Sequence, residues 1–261
     1  MPSSSLFLDD ALPPGLEPLD HPPDTLRPLP DRLDLTFEGF TPDTIAVLER
    51  LRQNPHIEQY REDKPAIKAH VQDPFKRYRD DLAWNWVLPN RLPFETEKGV
   101  FSRILKNDFG AGGSHHHLWM SFYRHSRKKR LQDFQLAHSL DPDGFTVGLF
   151  VADHMKGLMP VVKKRVSREP QTFFDSVNPA LERGDWQLGF RYGSKGDIVR
   201  FVEPIATVPV ELARAKTIWL RHKLPTADVL RLGPDLVGWA MEQLTMCWLL
   251  YRFYLDAEEA V

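Results

Sequence analysis

The chain has 261 residues, 42% of them hydrophobic and 27% charged, an ordinary globular composition with enough length to bury a core in one or two domains. Its 34 Lys and Arg stand against 36 Asp and Glu, a net charge of -2, so attraction for a polyanion has to come from local patches and not from the overall field. A single cysteine, Cys247, excludes an intrachain disulfide and fits a reducing compartment, which makes the cytoplasm the expected location.

Residues 1–36 are rich in proline (Pro13, Pro14, Pro18, Pro22, Pro23, Pro28, Pro30) and acid, with none of the basic and apolar regions of a signal peptide. Proline fixes φ and removes a donor, so this segment is expected to be an extended or disordered arm, either solvated or docked through short apolar pieces such as Leu6-Phe7-Leu8. The rest, 37–261, is expected to form one domain. Thr41 suits a cap, Pro42 a first helical position, and Ile45, Leu48 and Leu51 recur at helical spacing, so a helix is expected to run to Gln53. A second is expected over 65–81, where Ile67, Val71, Phe75, Tyr78 and Leu82 keep spacings of three and four, and Pro74 must kink or split it.

Beyond the tryptophan-rich connection 84–90 the period becomes two. Leu118, Met120 and Phe122 fall on one side of a strand and Trp119, Ser121 and Tyr123 on the other. Segments 131–140 and 145–152 continue in that style across a Pro142-Asp143-Gly144 turn, which is an antiparallel meander. A helix over 170–183, a hairpin of 186–192 with 198–202, and helices over 210–223 and 235–256 follow. The apolar run 236–255 is interrupted by Glu242, Gln243 and Arg252, and reads as a buried helix that carries an inert Cys247, not as a membrane span. The fold class expected is therefore α+β, a mostly antiparallel sheet of meander plus hairpin, flanked by helices at both ends.

The chemistry concentrates in 101–135. Arg103, Lys106, Asn107 and Asp108 precede a glycine turn, Gly110, Gly112 and Gly113, whose backbone N–H groups could bind phosphate while Arg and Asn read base edges. Asn107 and Asp108 also suit a turn that merely bonds its own backbone. Arg124, Arg127, Lys128, Lys129 and Arg130 crowd a hairpin tip, where mutual repulsion would be relieved by a polyphosphate or, in the bland case, by solvent. Lys163, Lys164, Arg165 and Arg168 form a second basic run nearby in sequence, open to the same two readings; whether it converges with the first beside the glycine loop is the observation that would weigh them. Trp119 and Tyr123 could stack bases if their side of the sheet is open. His115, His116 and His117 invite a metal, with His138 or Asp133 as further ligands, but match no zinc spacing. Asp133, Asp153 and Lys156 could be assembled into a nuclease-like Mg²⁺ set. There is no Gly-x-Ser-x-Gly elbow and no phosphate loop of nucleotide hydrolases, so no catalytic residue, metal or cofactor is assigned.

RILKNDFGAGGSHHHLWMSFY, followed by DFQLAHSL and GFTVGLFVAD, resembles the N-terminal domain that precedes AAA+ motor modules in McrB-like restriction proteins. GFTPDTIAVLERLRQN and YREDKPAIKAHVQDPF are similar to the start of a broader bacterial family of unknown function. The likeness spans 37–255, with Arg103, Lys106, Asn107, Asp108, Phe109, Gly110, Gly112, Gly113, Trp119, Phe122 and Tyr123 as its signature positions. It implies recognition of DNA, including base-modified DNA, on behalf of a motor and a nuclease subunit in restriction or antiviral defence; the histidine triplet and the absence of a motor depart from that pattern. The candidate nucleic-acid contacts are thus Arg103, Lys106, Asn107, Gly110, Gly112, Gly113, Trp119, Tyr123, Arg127, Lys128, Lys129 and Arg130. The competing readings are a protein-interaction module that docks a motor or nuclease subunit, and a metal-dependent nuclease.

Overall fold

The computed structural model describes residues 17–106, 112–155, 157–192 and 196–259. Thr41 opens α1 (Pro42–Gln53) by donating its N–H to Thr44 Oγ1 at 3.1 Å, and Thr44 Oγ1 in turn donates to the carbonyl of His70 at 2.7 Å. The next helix is longer than its periodicity predicted. α2 (Ile57–Ala66) continues through a wide π-turn at Ile67–Gln72 into α3 (Asp73–Leu82) and a second π-turn at Ala83–Val87. Pro74 sits in the first turn of α3, where a missing N–H is tolerated; the expected break is accommodated by the wide turn before it.

Residues 17–36 contain no helix or strand, as their prolines dictate, yet they are strapped to the body. The Asp81 carboxylate accepts from the N–H groups of Thr36 and Phe37, and Asn85 and Asn90 bond the backbone of Asp34 and Arg27. From the other side Trp248 Nε1 donates to the carbonyl of Pro23 at 3.1 Å, while Arg252 donates to that of Pro22 at 2.9 Å and pairs with Asp24 at 2.8 Å. Arg252→Ala removes two of these tethers, so limited proteolysis within 17–36 is expected to accelerate severalfold, at a global cost of about 1–2 kcal/mol in chemical denaturation.

The sheet has seven antiparallel strands in the order β1-β2-β3-β4-β7-β5-β6. They are β1 (Phe94–Glu95), β2 (Leu118–Arg124), β3 (Gln135–Asp141), β4 (Gly144–Ala152), β5 (Trp186–Arg191), β6 (Ile198–Phe201) and β7 (Thr217–Pro225). The fold is α+β, and meander and hairpin both form. β7 corrects the expectation of a helix over 210–223. Residues 210–214 make only a short 3-10 turn, and Ile218, Leu220 and Leu224 then alternate with Trp219, Arg221 and Lys223 in a strand that joins meander to hairpin. β3 starts at Gln135 because Arg130–Gln132 is a turn, and the unexpected α4 (Leu158–Arg168) precedes α5 (Pro170–Leu181). α6 (Thr226–Leu232) and α7 (Leu236–Glu259) complete the chain as described.

One face of the sheet carries the core. Phe145 packs edge-on to Tyr78 and Phe75, and Phe122 stacks on Trp86 and Phe94, so β2 and β4 bind the long helical arm through aromatic rings. Behind them lies α7, whose Cys247 is fully buried with its thiol pKa pushed up by that burial. No helix among the described residues is long and apolar enough to cross a membrane.

Candidate functional site

The loop between β2 and β3, with Arg124 at its root, carries basic residues that divide into two sets. Arg124 is buried and donates from its backbone N–H to Asp133 at 2.7 Å and from Nη2 to Asp133 at 2.5 Å and Glu258 at 2.6 Å. Burial works against its charge, but Asp133 and Glu258 outweigh burial and hold its pKa above the ordinary arginine value. Arg127 closes on the same Glu258, so these two cations are paired within the protein, and Arg127, a candidate contact, also anchors the loop. His125 pins the outgoing turn through its N–H and Nδ1 to the carbonyl of Pro93, both at 2.9 Å. Lys128 then takes φ 58°, a left-handed conformation rare outside glycine, and turns the chain back.

Three cations remain, and all three line one groove of about 770 Å³. Its other wall is segment 98–105, which follows β1 along the same edge of β2: Ser121 N–H donates to Val100 O at 3.0 Å and Ser102 N–H to Trp119 O at 2.8 Å. Arg130 bridges the walls. Its guanidinium lies 4.4 Å from the centroid of the Trp119 ring, and Nη1 donates to the carbonyls of Gly99 and Phe101. Lys98 and Arg103 add two charges from the second wall, and none of the lining residues is acidic. Five cations in a cleft without a carboxylate focus a positive field that the net charge of the chain conceals.

Arg103, Trp119, Tyr123, Lys128, Lys129 and Arg130 are therefore brought together as expected. Tyr123 is nevertheless mostly buried, its hydroxyl donating to Lys98 O at 2.8 Å, so it shapes the floor and offers no open ring face for stacking. Trp119 is half-buried with Arg130 stacked on it. Lys106 is exposed on the stem of the glycine loop, beyond the groove wall. That stem is a small ladder: Lys106 N–H donates to Gly113 O at 3.0 Å, His115 N–H to Ile104 O at 2.7 Å, and Gly113 forms a bridge with His56. Gly112 takes φ 73° beside it, where glycine carries no steric penalty. Asn107 and Gly110, with Asp108 and Phe109, lie outside the described residues.

The second basic run does not converge here. Lys163 donates to Ala213 O at 3.2 Å, and Arg165 pairs with Glu169 at 3.1 Å, in a separate cleft of α4 against Asp256. The histidines do not form a metal centre either: among the described residues no group of three or more His, Cys, Asp or Glu could hold an ion. His138, proposed as a further ligand, is buried with Nδ1 in a 2.9 Å hydrogen bond to Tyr78 Oη, and Asp133 is committed to Arg124, which also removes it from any nuclease set. Lys156 is outside the described residues. Burial, then Lys106 and His116, lowers the pKa of His115; burial, then its histidine neighbours, takes that of His117 to about 4. Near neutral pH the field of the groove thus comes from Lys and Arg.

Lys98 was missed in the sequence, where it sits among Glu95, Glu97 and a glycine with nothing to link it to a tip thirty residues later. No family model and no curated protein matches the chain.

Proposed function

We propose that this protein is a non-catalytic nucleic-acid recognition module whose ligand is DNA, including base-modified DNA, acting in restriction or antiviral defence beside a motor and a nuclease subunit, as the McrB-like resemblance implies. The observation that carries the DNA reading is the convergence of Lys98, Arg103, Lys128, Lys129 and Arg130 around Trp119 in a groove without carboxylates. Such a groove exchanges condensed counterions for lysine and arginine and gives strongly salt-dependent affinity. The restriction context and the motor rest on the resemblance alone.

Lys128→Ala with Lys129→Ala is the test, because both side chains are exposed and neither belongs to the core, so the variant retains its fold. In gel-shift or anisotropy titrations against plain and base-modified DNA, single- and double-stranded, the double variant is expected to bind at least tenfold more weakly at low salt. Its log-affinity against log-salt slope should be shallower by about 1.5–2. Absence of any DNA binding by the unmodified protein at low ionic strength, or an unchanged slope in the variant, overturns the proposal.

A further inference from the structure

The sheet face opposite the helices is open at its middle, and a second cationic cavity is built there that the groove does not include. Pairing sets Gly148 opposite Arg221, and Trp219 between Phe150 and Gly189, with Arg200 next in line across β5. Two glycines make the space. A Cβ at Gly189 would stand 2.2 Å from the indole of Trp219, and one at Gly148 would stand 2.7 Å from the Cβ of Arg221. With hydrogen atoms there instead, the indole lies flat on β5, and the guanidinium groups of Arg221 and Arg191 gather 5.1 and 5.8 Å from its centroid. Arg200, exposed on β6, shares this face.

Among the described residues no carboxylate forms an ion pair with Arg191, Arg200 or Arg221. The Nε of Arg221 and the Nε1 of Trp219 are buried donors without a hydrogen-bond partner, although donors of this kind are nearly always satisfied. Burial, then Arg200 and Arg191, depresses the Arg221 pKa, and the one carboxylate that offsets this, Asp141, is bonded to Lys223 at 3.2 Å. Ser139 and Thr146 bring hydroxyls to the same cavity, whose volume is about 160 Å³. That is below the roughly 300–1,000 Å³ of ordinary small-molecule pockets, and suits a small anion or a single anionic group.

We infer that Arg191 and Arg221, gathered on Trp219, form a binding site for a phosphate group, with Arg200 on the neighbouring strand adding charge at its rim. The inference does not depend on the proposed DNA-binding role, because the unpartnered donors and the cavity are observations separate from the groove. The two sites nonetheless adjoin: Trp119 of the groove lies directly opposite Ser139 of this cavity in the β2–β3 register. The phosphate has two possible sources, a phosphodiester of a strand leaving the groove across β3, or free phosphate.

The test titrates the full chain with inorganic phosphate against chloride of matched ionic strength, following the melting temperature and tryptophan fluorescence, and separately with a fluorescent single-stranded oligonucleotide. Arg200→Gln is the main variant, since the residue is exposed, and Arg221→Gln the second. Saturable stabilisation by phosphate that Arg200→Gln weakens tenfold or more, and that Lys128→Ala with Lys129→Ala leaves intact, supports the site. If Arg200→Gln also flattens the salt slope of oligonucleotide binding by about one, a strand supplies the phosphate; if it leaves that slope alone, free phosphate does. No phosphate effect beyond chloride, together with oligonucleotide binding that neither arginine variant alters, overturns the inference while leaving the groove reading intact. Phosphate binding by a chain that binds no DNA sinks that reading and supports this site.

Discussion

Asp133→Ala is expected to destabilise the folded chain by about 3–5 kcal/mol, read as a lower denaturant midpoint at unchanged slope, because it leaves a buried arginine without its main partner. Asp133 is fully buried, and Arg124 only 7% exposed, so water cannot replace the lost carboxylate. Glu258 keeps one hydrogen bond to Arg124, which places the effect toward the lower end of that range. The variant also frees the backbone N–H of Arg124 at the root of the basic loop. If the proposed DNA reading holds, affinity for DNA should therefore fall even at temperatures where the variant remains folded, a coupling that Lys128→Ala cannot show.

Acidification is the second large effect, and His138 sets its window. The side chain is completely buried, and burial lowers its pKa from 6.5 to about 3. Between those values the unfolded chain takes up a proton at this position and the folded chain does not. Stability is therefore present in full above about pH 6.5 and falls as the pH drops through the window, by up to about 1.4 kcal/mol per unit. By pH 5 the loss from this residue alone approaches about 2 kcal/mol. Denaturant midpoints between pH 7 and pH 5 measure it. His138→Asn, which cannot titrate but can still bond the Tyr78 hydroxyl, should start less stable at pH 7 and lose less on acidification; an equal loss in both proteins would assign the acid sensitivity elsewhere.

Much of the architecture was legible because period and punctuation agreed. Pro42 after Thr41, the alternation from Leu118 to Tyr123, and Pro142-Asp143-Gly144 each specify a local geometry that tertiary packing keeps. β7 was illegible for the opposite reason. Glu211, Leu212, Ala213 and Arg214 are good helix formers, and their preference extends by inference into Thr217–Pro225, where β-branched and aromatic residues pair with β4 and β5 instead. The groove was half legible. Charge density marked Lys128, Lys129 and Arg130, but nothing local shows that Arg124 and Arg127 meet Glu258 more than 130 positions later, or that segment 98–105 closes the far wall.

The position of β7 also governs how the chain can assemble. It is the seventh strand made and the fifth in spatial order, so the meander and the hairpin have no backbone connection through the sheet until residues 217–225 leave the ribosome. Until then the outer rims of β4 and β5 are naked ladders of N–H and C=O groups, open to mispairing with each other or with a neighbouring nascent chain. The interval in which β4 and β5 have emerged and residues 217–225 have not is accordingly one in which this protein is exposed to aggregation.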